Sequence, residues 1–435
     1  MSARPRIAWF SPLDPRSDSV ADYSTRQILP ELRNYFEIEL FTDCKLTHGL
    51  AEREDHFLNA HRRHHAAPFD LFVYNIEDHP RARFARAHLG LIPGVVWLHE
   101  AAIGDFGAEA FHASPWELTV EQFLEPSAPF NPRTNPIHPL WPFAYRERAL
   151  STLVLSSSPA VLKRLEGLSG RRLEASPGGH QALHVPMPAT LSRAIPPPKK
   201  SAILRVASPA RPGVEGQMHK VFPALKAQHS GWLLTWMIDS SELVAARRVI
   251  DEFAVQTQVE LRVGRSPQRW EEILAETTLA LHLHNSPFYR TSPYLELSLL
   301  AGRPAVVSNH PGFSEISEDL VLRIDPSMRG AAELQGIFEA VQAGEPAPWA
   351  ARGQAALSTQ HTPAQVGQTL RKIFTEHIPD YAAILARWNG VERRGMAELE
   401  GEIQELLRDH SGATVSPAEQ ILAPFFQEFG GLKPH

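Results

Sequence analysis

The sequence predicts an α/β protein with two doubly wound, Rossmann-like domains followed by C-terminal helices. Short apolar runs alternate with amphipathic runs of helical length, which is typical of parallel strands joined by crossover helices. The alternation stops at a proline-rich segment, residues 186–200, and then starts again. The chain has 435 residues, which exceeds one ordinary core and suits two or three domains.

The first half begins with a short apolar run and continues with an alternating one. Arg6–Phe10 is apolar apart from its first residue, and the alternation in Phe36–Thr42 indicates a half-buried strand. The predicted elements are strands at Arg6–Phe10, Phe36–Thr42, Leu71–Tyr74, Val95–Leu98 and Thr152–Leu155, and helices at Tyr23–Tyr35 and Pro159–Leu168.

The segment Pro186–Lys200 contains Pro-Met-Pro and Pro-Pro-Pro-Lys-Lys. Proline fixes the backbone and lacks an N–H, so consecutive prolines favour an extended chain and oppose both helix and sheet pairing. We therefore predict a domain boundary here. The first domain would comprise residues 1–190 and the second residues 200–375.

The same alternation defines the second domain. It predicts strands at Ala202–Ala207, Trp232–Ile238, Val259–Val263, Leu279–His284 and Ala305–Ser308, and helices at Met218–Gln228, Leu243–Val255 and Gln268–Glu276.

After Glu376 the sequence has no further strand pattern. Helices are predicted at Ile378–Asn389, Met396–His410 and Pro417–Phe426. Because these helices have no sheet of their own, residues 376–435 are expected to pack back onto both domains.

Composition limits the class of protein. The formal net charge is −6, so no strong positive field favours nucleic acid. The single cysteine, Cys44, excludes an internal disulfide framework and a cysteine-based zinc site. The N-terminal apolar stretch is too short for a signal peptide, and no run approaches the roughly 20 apolar residues of a membrane helix. The expected location is the cytoplasm, with no integral membrane segment.

Doubly wound domains bind ligands beyond the carboxyl ends of their strands, so the loops that follow strands are the informative ones. The first, Ser11–Ser24, ends in small residues that open a helix, whose free N–H groups attract anions. Ser19, Asp22 and Tyr23 are candidates for an acceptor or phosphate loop. An ordinary strand-to-helix connection is the alternative.

His99 follows the predicted strand Val95–Leu98. An imidazole at a strand end in a cleft can bind a sugar hydroxyl or shuttle a proton, which makes His99 the catalytic candidate. The alternative is a buried histidine with backbone partners.

The segment Thr291–Ser308 has the strongest local signals. Ser292 suits a helix N-cap, Pro293 the first helical turn, and Gly302 the end of the helix. Such a helix would direct its N-terminus at the strand ends, where a diphosphate would bind. Gly312 and Glu315 come in the next loop.

Histidines at two places have spacings that metal sites also use. They are His61, His64 and His65 in one group, and His282 with His284 in the other. No cysteine and no cluster of acids accompanies them, so we expect no metal, and one histidine of the second pair to line the cleft.

Three stretches together resemble retaining GT-B glycosyltransferases of the large bacterial family four, also called glycosyl transferase group 1. Ile7–Ser24 resembles that family's first strand and loop. Phe69–Asn75, continued by Pro93–Glu100, resembles its third and fourth strands. Thr291–Glu315 resembles its donor-binding helix, strand and glycine–glutamate loop. The resemblance spans roughly residues 6–375.

The resemblance implies two domains that face each other across a cleft, with C-terminal helices crossing back. A nucleotide-sugar donor would bind the second domain, and a saccharide, lipid-linked or other small acceptor would bind the first. No metal or other cofactor is implied, because helix N-termini and basic side chains neutralise the diphosphate in this fold. The implied donor-binding residues are Arg211, Arg290, Thr291, Ser292, Glu296, Gly312 and Glu315.

The chain also departs from the family. Ser19 replaces the glycine of the first loop, and Gly216 falls on the phosphate-binding lysine. Arg290 falls on the donor-site glutamate, and Glu296 lies one residue from the second glutamate of the family's pair. We expect Arg290, with Arg211 as second candidate, to supply the missing positive charge.

Three hypotheses follow. The first is an active glycosyltransferase with a rebuilt donor site. The second is a catalytically silent relative that binds a sugar or a partner. The third is another two-domain nucleotide-sugar enzyme, such as a non-hydrolysing epimerase.

Overall fold

Two parallel sheets organise the chain. A computed structural model describes residues 4–13, 19–43, 49–77, 79–100, 144–166, 181–197, 202–212, 217–228, 231–283, 293–310, 313, 316–325, 329–344 and 347–410. The strands of the first sheet are β1 (Arg6–Phe10), β2 (Glu37–Thr42), β3 (Arg53–His56), β4 (Leu71–Ile76), β5 (Gly94–Leu98), β6 (Ser151–Ser156) and β7 (Ala182–His184). The order is β3-β2-β1-β4-β5-β6-β7.

The helices that accompany the first sheet connect successive parallel strands. They are α1 (Val20–Leu32), α2 (Ala60–Ala66), α3 (Arg83–Leu89), α4 (Tyr145–Leu150) and α5 (Pro159–Glu166). Helix α1 begins at Val20 and not at the predicted Tyr23, because the Ser19 hydroxyl accepts the Asp22 N–H and caps the helix.

The second sheet repeats this design. Its strands are β8 (Leu204–Ser208), β9 (Trp232–Ile238), β10 (Val259–Val263), β11 (Leu279–His282), β12 (Ala305–Ser308) and β13 (Leu322–Ile324), in the order β10-β9-β8-β11-β12-β13. Its helices are α6 (Met218–Lys226), α7 (Leu243–Phe253), α8 (Pro267–Leu274), α9 (Pro293–Leu300), α10 (Gly330–Ala343) and α11 (Ala347–Gln360).

Both sheets reverse their strand order next to their first strand, as doubly wound sheets do. The reversal lies between β1 and β4 in the first sheet and between β8 and β11 in the second. Loops β1–α1 and β8–α6 therefore occupy equivalent places. The predicted fold class, two doubly wound α/β domains, is confirmed.

Three edge strands were not predicted. Strand β3 consists of Arg-Glu-Asp-His, β7 has three residues, of which two are exposed, and β13 also has only three residues. An edge strand pairs on one side only and needs no continuous apolar run, so the apolar pattern does not reveal it.

The linker between the sheets packs on both. The first sheet ends at His184, and the second begins at Leu204. Met187 packs against Tyr23 of α1, whereas Ala189 packs against Leu295 of α9. The division into residues 1–190, 200–375 and 376–435 stays a prediction.

One long helix, α12 (Pro363–His410), replaces the two predicted helices at Ile378–Asn389 and Met396–His410. Residues 390–395, which separate the two predicted helices, are helical as well, since an internal glycine such as Gly390 costs a helix only about 1 kcal/mol relative to alanine. The third predicted helix, Pro417–Phe426, lies outside the described residues.

The first part of α12 crosses back to the first sheet, as predicted. The Phe374 ring lies edge-on to Trp9 with centroids 6.3 Å apart, and the Tyr381 hydroxyl donates a 2.7 Å hydrogen bond to the Pro93 carbonyl.

The chain divides into one compact unit, Met1–Ala382, which holds both sheets, and a second unit, Ala383–His435. Within the described ranges, no helix is both long enough and apolar enough to cross a bilayer.

Candidate functional site

The Glu77 carboxylate accepts hydrogen bonds at the N-terminus of α1. Glu77 follows β4 and is fully buried. Its carboxylate accepts a 2.8 Å hydrogen bond from the Val20 N–H and a short one from the Ser19 hydroxyl. The N-terminus of a helix after the first strand is an anion site. In the first domain this site is filled by Glu77.

The other candidates of the first loop lie on α1. Asp22 is buried and pairs with Arg26, its Oδ1 and Oδ2 lying 2.9 and 3.0 Å from the arginine Nε. Tyr23 extends from the first turn toward the linker. The three predicted residues Ser19, Asp22 and Tyr23 therefore share one helix start, and their role in acceptor binding stays a prediction.

His99 directly follows β5 and is buried. Its Nε2 lies 2.6 Å from Asn75 Oδ1 and 3.3 Å from the Ser24 hydroxyl. Its backbone N–H donates to the Ile76 carbonyl at 3.2 Å. These contacts suit a hydrogen-bonded core histidine as well as an oriented catalytic one, so the catalytic role stays a prediction.

Tyr23 of the first domain lies close enough to Glu296 of the second for their charges to interact. Burial raises the pKa of Tyr23 well above its usual range, the Thr190 backbone opposes this shift, and the carboxyls of Glu296 and Glu271 add to it. Both Tyr23 and Glu296 belong to first helical turns that follow strands. The carboxyl ends of the two sheets thus point toward each other at this place.

Glu296 itself is buried in the first turn of α9. Burial raises the pKa of Glu296 to about 8, and a hydrogen bond to its own backbone opposes the shift. Among the described residues, Glu296 Oε2 has no hydrogen-bond partner. Near neutral pH this carboxyl is therefore mainly protonated and can donate to a ligand oxygen as well as accept.

The start of α6, the counterpart of α1, is built differently. Gln217 precedes α6 in a left-handed conformation, with φ 54°, and its side chain makes no capping hydrogen bond. Its Nε2 donates to the Ser308 hydroxyl at 2.8 Å, and its Oε1 accepts from Lys220 Nζ at 3.0 Å. A left-handed non-glycine residue is strained and often marks a functional site.

Lys220 places an ammonium group beside this helix start. The side chain is 3% exposed. Burial lowers the pKa of Lys220, and the Asp325 carboxylate acts in the opposite direction. Ser308 ends β12 and Asp325 follows β13, so the ammonium lies at the carboxyl edge of the second sheet.

Arg211 follows β8 and is about half exposed, with its Nε 3.9 Å from Glu242 Oε1. Glu242 is shared with Arg265, whose Nη2 lies 2.9 Å from Glu242 Oε2. The Arg211 contact is long and solvated, and such pairs are worth about 0–1 kcal/mol. A ligand phosphate can therefore compete with Glu242 for the Arg211 side chain.

Several predicted donor residues lie outside the described residues: Arg290, Thr291, Ser292, Gly312 and Glu315, together with Gly216. The helix that they flank is described. It begins at Pro293, and Gly302 ends it with φ +63°, both as predicted.

The two groups of histidines do not form a metal cluster in the described ranges. His61 Nε2 lies 3.0 Å from His65 Nε2, while His282 Nε2 lies 2.9 Å from the Ser298 hydroxyl inside the second domain. Burial lowers the pKa of His282 to about 3. Across the described residues, no group of three or more His, Cys, Asp or Glu side chains could hold a metal ion. His284 lies outside these ranges, and the absence of a metal stays a prediction.

Sequence reasoning missed Asn75, Glu77, Gln217 and Lys220. Ligands bind beyond the ends of parallel strands, and the loop after β4, which holds Glu77, is such a place. Lys220 lies four residues after Gly216, about one helical turn, and that spacing was the available signal.

No protein-family model matches the chain. No curated protein is similar to it in sequence. Solved structures do match. Sucrose-phosphate synthase from Thermosynechococcus elongatus has a TM-score of 0.59 and 13% identity, over 86% of this chain and 100% of that one.

Two further structures are similar. HepE from Anabaena in complex with UDP-glucose has a TM-score of 0.60 and 14% identity, over 85% of this chain and 99% of that one. WaaG, a glycosyltransferase involved in lipopolysaccharide biosynthesis, has a TM-score of 0.57 and 13% identity, over 85% of this chain and 99% of that one. These likenesses show that the chain has the GT-B fold.

Proposed function

We propose that this protein is a glycosyltransferase that moves a sugar from a nucleotide-sugar donor to a small acceptor with retention at the anomeric carbon. The fold supports the proposal, since its solved neighbours include a glycosyltransferase, WaaG, and a second neighbour, HepE, was crystallised with UDP-glucose. A nucleoside diphosphate hexose is therefore the first donor to test.

The observation that carries the proposal is a difference between two equivalent helix starts. In the first domain, Glu77 neutralises the N-terminus of α1. In the second domain, the Gln217 side chain makes no capping hydrogen bond at the α6 N-terminus, and Lys220 adds a positive charge beside it. A dianionic diphosphate is attracted to the second start and repelled by the carboxylate at the first.

The donor site would extend from α6 to α9. Lys220 and Arg211 supply positive charge on one side of the diphosphate, and Arg290 supplies it before α9. Thr291, Ser292, Glu296, Gly312 and Glu315 are assigned to the donor from the family resemblance. Protonated Glu296 donates to a hydroxyl or phosphate oxygen without adding negative charge.

The acceptor would bind the first domain beside Ser19, Asp22 and Tyr23. Because Glu77 already holds the α1 N-terminus, this side favours an acceptor that presents neutral hydroxyl groups there. His99 contacts the transferred sugar or the attacking hydroxyl. Retention, the absence of a metal requirement and a cytoplasmic location belong to the same proposal.

The test is a thermal-shift screen of nucleotide sugars, followed by transfer from a labelled hit. Lys220→Ala should weaken binding of the hit about tenfold to a hundredfold, the range for one charge-assisted contact. Lys226→Ala removes the same charge from the last turn of α6, where Nζ bonds to the Phe253 carbonyl at 3.1 Å, and should leave binding unchanged.

The outcomes separate the hypotheses. Binding of a nucleotide sugar without transfer or donor hydrolysis would favour the silent relative. Failure of every nucleotide sugar to bind would overturn the proposed function. Equal losses in both lysine variants would overturn the role of Lys220 while leaving the proposed function in place.

A further inference from the structure

The orientation of the Asn75 amide is fixed by its surroundings. Asn75 lies near the end of β4 and is fully buried. Its Nδ2 is 2.9 Å from the Ala21 carbonyl oxygen and 2.9 Å from the hydroxyl oxygens of Ser24 and Thr25. A carbonyl oxygen only accepts hydrogen bonds, so the NH₂ group and not the amide oxygen must face Ala21.

This orientation determines where His99 carries its proton. The Asn75 Oδ1 faces His99 Nε2 at 2.6 Å. An amide oxygen accepts only, so Nε2 must carry the hydrogen; two facing lone pairs at that distance would repel. A neutral imidazole has one donor and one acceptor nitrogen, and Nδ1 is therefore the acceptor.

We infer that Asn75 is a positioning residue that holds His99 in the Nε2–H tautomer, so that Nδ1 accepts a hydrogen bond from a hydroxyl group of the substrate. The inference rests on the proposed function for the identity of the ligand. Neutral His99 in this tautomer binds an O–H donor. Its one N–H, at Nε2, donates to Asn75 and is not directed at a phosphate oxygen, and a diphosphate ester has no proton to donate to Nδ1 at neutral pH.

The α1 helix stabilises the arrangement. The hydroxyl oxygens of Ser24 and Thr25 both accept from the Asn75 NH₂ group. Thr25 Oγ1 in turn donates to the Ser11 hydroxyl at 2.8 Å. Thr25 also accepts from Trp9 Nε1 at 3.1 Å. Removal of the Thr25 hydroxyl perturbs this network without touching the bond between Asn75 and His99, which provides a matched control.

The experiment is nitrogen NMR of the full-length protein labelled at histidine, with the His99 signals assigned by their loss in His99→Gln. Wild type should show a protonated nitrogen at Nε2 and an unprotonated one at Nδ1. In Asn75→Ala the Nε2–H signal should be lost or averaged between tautomers, while Thr25→Val keeps the wild-type pattern. In Asn75→Asp the carboxylate still accepts from Nε2, so the Nε2–H signal should be retained.

Once the His99 signals are assigned, the wild-type spectrum decides the tautomer without any substrate. A proton on Nδ1 in wild type, or an unchanged pattern in Asn75→Ala, would overturn the positioning role. In the transfer assay, Asn75→Ala should lower kcat about tenfold more than Thr25→Val, as expected for one misdirected hydrogen bond. A confirmed tautomer with equal kcat in the two variants would overturn the substrate contact alone, and a wild type inactive with every donor would count against the proposed function.

Discussion

The Val20 N–H donates a 2.8 Å hydrogen bond to the Glu77 carboxylate, which joins the first turn of α1 to the loop after β4. Both residues are buried. The pair places a negative charge of the protein at the helix end where nucleotide-binding sheets usually hold a phosphate. The two doubly wound domains therefore differ in electrostatics although they share a strand order.

Glu77→Ala should lower the free energy of unfolding by about 1.5–3 kcal/mol, because the buried N–H of Val20 and the Ser19 hydroxyl lose a charged acceptor. Urea denaturation measures the change. Glu276→Ala, which removes an exposed carboxylate, serves as the control and should change stability by less than about 0.5 kcal/mol. Similar losses in the two variants would contradict the capping role.

The free energy of unfolding should fall as the pH rises from the ordinary pKa of a glutamate, 4.5, to the pKa of Glu296 in the folded state, about 8. The folded pKa is raised above the unfolded one, so the folded state binds more protons between them and loses stability with increasing pH. At its steepest the effect is about 1.4 kcal/mol per pH unit for one group. Glu296→Gln should remove this part of the pH dependence.

The measurement is urea denaturation of both proteins from pH 5 to pH 9. Wild type and Glu296→Gln should diverge progressively between pH 5 and pH 8. Parallel stability curves for the two proteins would show that the Glu296 carboxyl is not shifted by burial.

His99→Ala should lower kcat for sugar transfer about tenfold or more, since the substrate loses one oriented hydrogen bond, while cooperative unfolding is retained. Steady-state kinetics with an identified donor, together with thermal melts, provide the test. An unchanged kcat would leave His99 as a core histidine bonded to Asn75.

Arg290→Ala should weaken nucleotide-sugar binding by roughly 1.5–3 kcal/mol, about tenfold to a hundredfold, because a guanidinium before α9 is expected to bind the diphosphate. The bare nucleoside should lose far less affinity. Arg269→Ala, an exposed arginine on α8, is the matched control. Equal affinity of wild type and Arg290→Ala for the donor would rule this contact out.

Transfer should persist after exhaustive chelation. The cationic side chains Lys220, Arg211 and Arg290 and the α6 N-terminus are expected to neutralise the diphosphate in place of a divalent ion. The assay compares initial rates with EDTA and with EDTA followed by excess Mg²⁺ or Mn²⁺. Loss of activity on chelation and its return with metal would refute a metal-free site.

Apolar runs and helix-ending residues predicted the strands and helix ends that depend on neighbouring residues in the sequence. Runs such as Trp232–Ile238 and Val259–Val263 became strands with the predicted bounds, because their residues pair between neighbouring strands and pack on the core. Gly302 ends α9 because the backbone there is left-handed, and glycine adopts that conformation without steric cost. The polar edge strand β3 and the continuous α12 escaped prediction, since neither depends on an apolar run or on a helix breaker.

By itself the sequence determined two doubly wound domains, their order along the chain and the strand ends at which to look for a site. Only the tertiary structure decided that Glu77 binds the N-terminus of α1, that Gln217 at the start of α6 bonds to Ser308 of β12, and that Asn75 holds His99. These partners lie on different elements, and which of them meet depends on the strand order and not on local spacing. A hydrogen bond needs its donor and acceptor within about 3 Å, a distance that the packing of whole elements sets.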